Sequence, residues 1–452
     1  MKSKIVLSVS LALIIACSGF AQEKEKKRKD DMKLIYSSSW DCFCDNTNIT
    51  HNKNRGYRNY YSKVYHDYGI EEELDFFSQI GANPAIYGFS PEVQAIHFNR
   101  VNGLFLGIDS EFDDFLDDIL EIDNLDFQGL VGYSFGQDEW QYQIGVEKPI
   151  GRRTRIGADY HNVANTEDSW RSGLTENTIS SLVAGYDFHD YFKSEGYSVY
   201  GSYRLGRKTY LGLSYNVDNL SSLDAVTEYN IYGEGNIFRP NPVIDPGFDK
   251  IYQESIGFSI NVNPRLYYIA NNLSTSLAVR GEIANLKKTS NDFFFNKYIV
   301  ETKSMLRLDR STFLKWRVMG GAVTGTAPEF KQFALGGIGS MRATDYKSLQ
   351  GNAMVLSNAE LILGKHSDLD VGFFEIDGLY LSFFIDSGWS EFNNDLNSTL
   401  DPTTAFNNFA LSDLTHNGGI GLGSDMFRVE VAKPLTGSDG FTAFWIRLNP
   451  SF

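Results

Sequence analysis

Tyr197-Ser198-Val199-Tyr200-Gly201-Ser202-Tyr203-Arg204-Leu205 is followed, after Gly206-Arg207-Lys208, by Thr209-Tyr210-Leu211-Gly212-Leu213-Ser214-Tyr215. In the first run the odd positions are Tyr, Val, Gly, Tyr and Leu, and the even ones are Ser198, Tyr200, Ser202 and Arg204. In the second, Leu211, Leu213 and Tyr215 alternate with Gly212 and Ser214. Successive side chains of a strand point to opposite faces, so each run has one apolar face and one small or polar face. Phe127 to Gly136 repeats the scheme, with Phe, Gly, Val, Tyr and Phe at odd positions against Gln, Leu, Gly, Ser and Gly.

A soluble sandwich alternates in the same way, because it hides one apolar face in a core. A membrane barrel turns that face to lipid and keeps polar groups inside. The aromatic excess, the long strands and an export signal at the N-terminus together favour the barrel. Aromatics make up 14% of the 452 residues, with 25 Tyr, 33 Phe and 41 Gly but only 11 Pro, as suits a large antiparallel sheet with aromatic girdles. The formal charge of -16 argues against a nucleic-acid partner, which calls for clustered basic residues. After residue 21 no apolar run is long enough for a membrane-spanning helix, so a chain that crosses a membrane does so with strands.

Period-two segments begin near Ile96, Phe127, Trp140, Thr154, Ser180, Tyr197, Thr209, Ile251, Ser274, Phe293, Thr312, Asn352, Leu379, Gly418, Phe427 and Phe441. That is about sixteen, an even number as a single-chain barrel requires. Within the segment at Ser180, Leu182 to Phe192 also reads as helical. Both termini are placed at one rim, so even-to-odd connections are expected to be short and the others long. Gln137 to Glu139, Gly206 to Lys208 and Asp309 to Ser311 are short, whereas Val217 to Lys250, Gly325 to Gln350 and Ser390 to Asn417 are long. The predicted fold is all-β: an antiparallel transmembrane barrel of about sixteen strands.

The N-terminus reads as a signal peptide over residues 1–21. Lys2 and Lys4 precede an apolar stretch from Ile5 to Ile15, and Gly19-Phe20-Ala21 is a small-residue cleavage site. Ile14-Ile15-Ala16-Cys17 offers lipidation of Cys17 as the alternative. Residues 22–95 read as a charged tether and a short periplasmic or lumenal segment, with a short helix at Glu71 to Phe77. Residues 96–452 are the barrel.

The longest late connection carries Phe333-Ala334-Leu335-Gly336-Gly337-Ile338-Gly339-Ser340-Met341-Arg342. Gly336, Gly337 and Gly339 free the backbone for positive φ, and a lone arginine folded inward needs an acceptor. This stretch through Glu360 resembles the bacterial surface antigen family, the barrel of the BamA/TamA superfamily. Phe384-Ile385-Asp386-Ser387-Gly388, Gly419-Ile420-Gly421-Leu422, Phe427 to Leu435, and Phe444-Trp445-Ile446-Arg447-Leu448 up to Phe452 extend the match. Phe98 to Leu104 resembles the first strand of members without periplasmic repeats. The resemblance implies a sixteen-stranded barrel in the outer membrane of a Gram-negative bacterium, with the glycine-rich loop folded into the lumen. It also implies that Arg342 pairs with carboxylates on the two following strands, matched by Glu360 and Asp386. Strand parity agrees, since Leu379, Leu381, Phe383 and Ile385 turn outward and Asp386 inward, and Val355, Ala359, Leu361 and Leu363 turn outward and Glu360 inward. Ala343 and Thr344 stand where the family usually has glycine and an aromatic. Residues 34–95 are too short for the family's βααββ periplasmic repeats.

The function expected is a component of outer-membrane protein or lipid assembly or transport. The alternative is a solute-conducting, self-associating pore without insertase activity. Trp445, Ile446, Leu448 and Phe452 resemble the C-terminal signal by which a barrel is recognised for insertion, so outer-membrane lipids and the barrel-assembly machinery are the expected partners. No enzyme, metal or cofactor site is expected: His161, His189, His366 and His416 lack ligand spacing, and no nucleophile elbow or phosphate-binding motif occurs. The acidic Asp109 to Asp126 stretch lacks the glycine and spacing of an EF-hand and reads as a solvated loop.

Overall fold

The computed structural model describes residues 93–112 and, apart from short loop stretches, 125–448. Sixteen strands make its wall. The first eight are β1 (Ile96–Asn99), β2 (Gly103–Phe112), β3 (Asp126–Ser134), β4 (Glu139–Ile150), β5 (Thr154–Thr166), β6 (Tyr191–Leu205), β7 (Thr209–Ser222) and β8 (Lys250–Val262). The others are β9 (Leu273–Lys288), β10 (Asn291–Arg307), β11 (Thr312–Gly325), β12 (Ala353–Val371), β13 (Phe374–Glu391), β14 (Thr415–Gly423), β15 (Phe427–Pro434) and β16 (Ala443–Leu448). Each pairs antiparallel with the next, from β1 with β2 to β15 with β16. This continuous ladder satisfies the backbone without water, as a wall in lipid must. A short strand, Tyr268–Ala270, lies against the start of β9. One helix, α1 (Leu174–Ala184), interrupts the connection from β5 to β6.

The sheet is polar inside and apolar outside. Along β13, Ser382, Phe384 and Asp386 are buried while Leu381, Phe383 and Ile385 are exposed. Along β16, Phe444 and Ile446 are exposed and Arg447 is buried. Such a distribution suits a wall between lipid and a polar lumen. The sheet curls on itself: Lys331, in the β11–β12 connection, meets Glu167 just past β5 at 2.5 Å and Glu282 on β9 at 3.0 Å. Among the described residues no backbone ladder joins β1 to β16.

The expected count of sixteen is met, though two segments differ. The stretch at Ser180 lies in α1, and the expected first strand folds at Arg100-Val101-Asn102 into the β1–β2 hairpin. The longest connections, 167–190, 223–249, 326–352 and 392–414, all run from odd to even strands and so leave one rim. Gln137 to Glu139, expected among the short even-to-odd turns, belongs instead to the β3–β4 connection at that long-loop rim. The signal peptide, Cys17, the Glu71 to Phe77 helix, most of the acidic stretch and Phe452 lie outside the described residues.

Candidate functional site

The 326–352 connection turns into the lumen and is anchored at two levels. At its root, Phe333–Leu335 pairs with Leu349–Gly351. Phe333, Leu335 and Met341 join a buried cluster with Phe295, Met319 and Leu356 of the wall. At its tip the glycines take the backbone where side chains do not fit: Gly336, Gly337 and Gly339 have φ of 116°, 81° and 72°, the region L-residues avoid. A Cβ on Gly339 would overlap the carbonyl of Arg171, and one on Gly336 the carbonyl of Asp345.

Beyond these glycines the chain delivers Arg342 to the wall. Its Nε and Nη2 donate to Asp386 Oδ2 and Oδ1 at 2.8 and 2.7 Å, and its backbone N–H reaches the same carboxylate at 3.2 Å. Nη1 donates to Glu430 on β15 at 2.9 Å, and the guanidinium lies 3.3 Å from the centre of the Phe384 ring. Glu360, expected as the second acceptor of Arg342, pairs instead with Arg428 on β15, whose Nη2 also reaches Glu430 at 2.5 Å. The order is therefore Asp386, Arg342, Glu430, Arg428, Glu360: alternating charges, so that each guanidinium lies between two carboxylates. Burial works against the Arg342 charge, but Asp386 and Glu430 more than offset it and raise its pKa above the ordinary value. Trp445, from the expected insertion signal, donates from Nε1 to the Arg342 carbonyl at 2.9 Å. Ile446 is exposed on the outer face, and Leu448 donates its N–H to Glu176 of α1 at 3.1 Å.

Four further side chains make contacts that were not read from sequence. On β11, Arg317 donates from Nη2 to the Gly339 carbonyl at 2.5 Å and to Asn358 at 2.7 Å. Asn358 in turn donates to the Ser340 carbonyl at 2.7 Å and to Asp386 at 2.8 Å. From the 167–190 connection, Arg171 donates to the carbonyls of Ala334 and Gly336 and is paired with Asp168 at 2.9 Å. Lys347 bridges Asp168 and Asp190 at 2.5 and 2.6 Å. Burial tends to raise the Asp168 carboxyl, and Lys347 and Arg171 hold it well below its usual range. The loop is thus gripped by the β11–β16 wall on one side and by a second inward loop on the other. Parity offered a signal for part of this, since Arg428 and Glu430 share the lumen-facing register of β15. Pairings between two loops leave no such periodic trace.

Ser194 on β6 and His161 and Asp159 on β5 stand in hydrogen-bonded series beside β7, with Ser194 Oγ 3.3 Å from His161 Nε2 and Asp159 2.8 Å from Nδ1. Asp218 takes the same Nε2 at 2.8 Å and accepts from Ser194 at 2.9 Å. A serine that donates to a carboxylate, beside a histidine flanked by two, is not arranged as nucleophile and base. It ties three strands together. No group of three His, Cys, Asp or Glu among the described residues is arranged to hold a metal.

Residues 77–280 match the model of a family of unknown function, the DUF5686 C-terminal domain. Among solved structures, the chain is similar to BamA from Haemophilus ducreyi lacking POTRA domains 1–3, with 14% identity over 78% of this chain and 68% of that one and a TM-score of 0.49. It is similar to CdiB from Escherichia coli, with 13% identity, 77% and 59% coverage and a TM-score of 0.40. CdiB from Acinetobacter baumannii gives 12% identity, 79% and 60% coverage and a TM-score of 0.37. No curated protein matches the chain.

Proposed function

We propose that this chain is an outer-membrane barrel of the surface antigen type, acting in the assembly or transport of outer-membrane proteins or lipids. The observation that carries the reading is the Arg342 cluster. It fixes a long loop inside the barrel with charges buried on both sides, so the lumen is built around an inward strut rather than around a water column. A solute pore needs an open path, whereas here Lys331, Lys347, Arg171 and Arg342 each cross from loop to wall or from loop to loop. The seam between β1 and β16, which no backbone ladder joins among the described residues, adds a second support, because a seam without a ladder is where strand edges can be released to another chain. The barrel's own insertion is assigned to the assembly machinery, through its C-terminal aromatic strand.

Depletion in the native bacterium tests this. The expected result is a fall in a defined set of outer-membrane proteins or lipids, with co-purifying partners. An unchanged outer-membrane composition under full depletion contradicts the role.

A further inference from the structure

Helix α1 has its polarity inverted. It buries Glu176, Asn177 and Ser181 and exposes Ile179, and Tyr186, two residues beyond its end, is exposed as well. A surface helix of a water-soluble domain does the reverse. The buried side explains itself. Asn177 donates to Asp187 and Tyr191 at 3.0 and 2.8 Å. Glu176 pairs with Arg447 at 3.1 Å and accepts the backbone N–H of Leu448 at 3.1 Å. That last bond lies on the edge of β16 that has no strand beside it among the described residues. On the same helix, Thr178 accepts from the backbone N–H of Phe98, on the edge of β1 away from β2, at 3.4 Å, and Thr175 accepts from Gln94 at 2.8 Å. One helix therefore touches both strand edges that no ladder joins.

A second segment completes the arrangement. Ile231 and Tyr232 donate their N–H groups to the Leu182 and Val183 carbonyls, at 2.9 and 3.0 Å, and Val226 donates to the Arg100 carbonyl at 2.8 Å. The carbonyls at the end of α1, otherwise orphaned, are thus satisfied by this 226–232 segment. Its Val226, Tyr229 and Ile231 are exposed, and Tyr229 packs edge-on against Phe98. To one side lie the exposed Ile96, Leu104 and Leu106 of β1 and β2, and to the other the exposed Phe444 and Ile446 of β16. The apolar belt thus continues across the seam on residues that are not strands.

We infer that α1 and Val226–Tyr232 form a lipid-facing panel that closes the barrel wall between β1 and β16, with bilayer acyl chains covering its outer face. The panel is held by side-chain bonds to each edge instead of a backbone ladder. The inference rests on the membrane reading above, and its test separates the two.

Nitroxides are placed singly at Ile179→Cys and Tyr229→Cys, in a full chain whose Cys17, Cys42 and Cys44 are replaced by serine, reconstituted in phosphatidylcholine vesicles. Ile446→Cys on β16 is the lipid-side reference and Leu411→Cys, in the 392–414 connection, the water-side reference. Collision with oxygen, which concentrates in lipid, is compared with collision with a water-soluble nickel chelate. The expected oxygen-to-nickel ratio at Ile179 and Tyr229 matches that at Ile446 and is several-fold above that at Leu411. A ratio matching Leu411, or shielding from both reagents as under a protein partner, overturns the panel. If Ile446 itself behaves like Leu411, the membrane reading falls and the panel with it. The closing bonds are read separately by hydrogen exchange at Leu448. Exchange speeds at least tenfold in Glu176→Ala and less in Glu176→Gln, which keeps an acceptor. Equal, unaltered exchange in both removes the claim that Glu176 holds the seam.

Discussion

Replacing Arg342 with alanine isolates the central electrostatic contact. Asp386 is fully buried and loses the two guanidinium bonds at 2.8 and 2.7 Å. It keeps the backbone N–H of residue 342 at 3.2 Å and Asn358 at 2.8 Å. Glu430 retains Arg428 at 2.5 Å. The variant is therefore left with one buried carboxylate that has hydrogen bonds but has lost its nearest countercharge. Removing one partner of a buried pair costs about 3–5 kcal/mol. At about 1.4 kcal/mol per factor of ten, detachment of the loop tip becomes favoured by about a hundredfold to a few thousandfold. Hydrogen exchange reads this at Gly337 and Thr344, whose amides donate to the Met341 carbonyl within the tip. Both should lose protection by that factor, while amides of β5 and β6 serve as an unaffected reference. In Arg342→Ala with Asp386→Asn, no uncompensated ion remains and most of the loss is recovered. Unchanged exchange in the single variant, or a double variant no better than the single, refutes the pairing.

Gly339→Ala meets both a positive φ of 72° and the Arg171 carbonyl. Strain of about 1–3 kcal/mol should loosen the contact with the 167–190 connection and expose residues 336–346 to protease, and resistance equal to wild type counts against the placement. Burial tends to raise the Glu167 carboxyl, but Lys297 and Lys331 hold it near 2 against an ordinary 4.5. Because the folded value is depressed, its stabilisation is present above about pH 4.5 and is lost as the pH falls towards 2. The melting midpoint in detergent should drop over that window more steeply in wild type than in Glu167→Gln, and identical slopes contradict it. Lys347→Ala leaves Asp168 and Asp190 without their shared cation and should loosen the contact between the two inward loops, which Arg171 still joins, seen as reduced cross-linking between residues 168–190 and 336–347.

Much of this architecture could be read from the chain because a wall in lipid has only two environments. Parity placed Asp386 and Glu360 inward and Leu381, Phe383 and Ile385 outward, since a period of two leaves no third choice. The same parity holds Arg428 and Glu430 in one register, yet reading Arg342 as bound to the next two strands passed over β15. Contact is set by how far the loop reaches across the lumen, not by strand order. Two local errors cancelled in the strand count. The stretch at Ser180 is helical because it covers a seam, an arrangement with no period of its own in a strand pattern. Arg100-Val101-Asn102 turns on local cues that strand alternation hides, Gly103 at a φ of 58° and Asn99 Oδ1 accepting the Val101 and Asn102 N–H groups at 3.1 and 2.7 Å, and the turn is also held from outside: Arg100 N–H donates to Asp187 at 2.9 Å and its guanidinium pairs with Asp190 at 2.8 Å. Those two aspartates lie far along the chain, and no local signal announces them.

The claim that an inward loop fills the lumen and is held there by buried charge is tested most directly by conductance of the purified chain in planar bilayers. Wild type is predicted to insert with little steady current, and Arg342→Ala to show larger and more frequent openings as the loop detaches. A steady, wide conductance in wild type that is unaltered by Arg342→Ala would contradict the account.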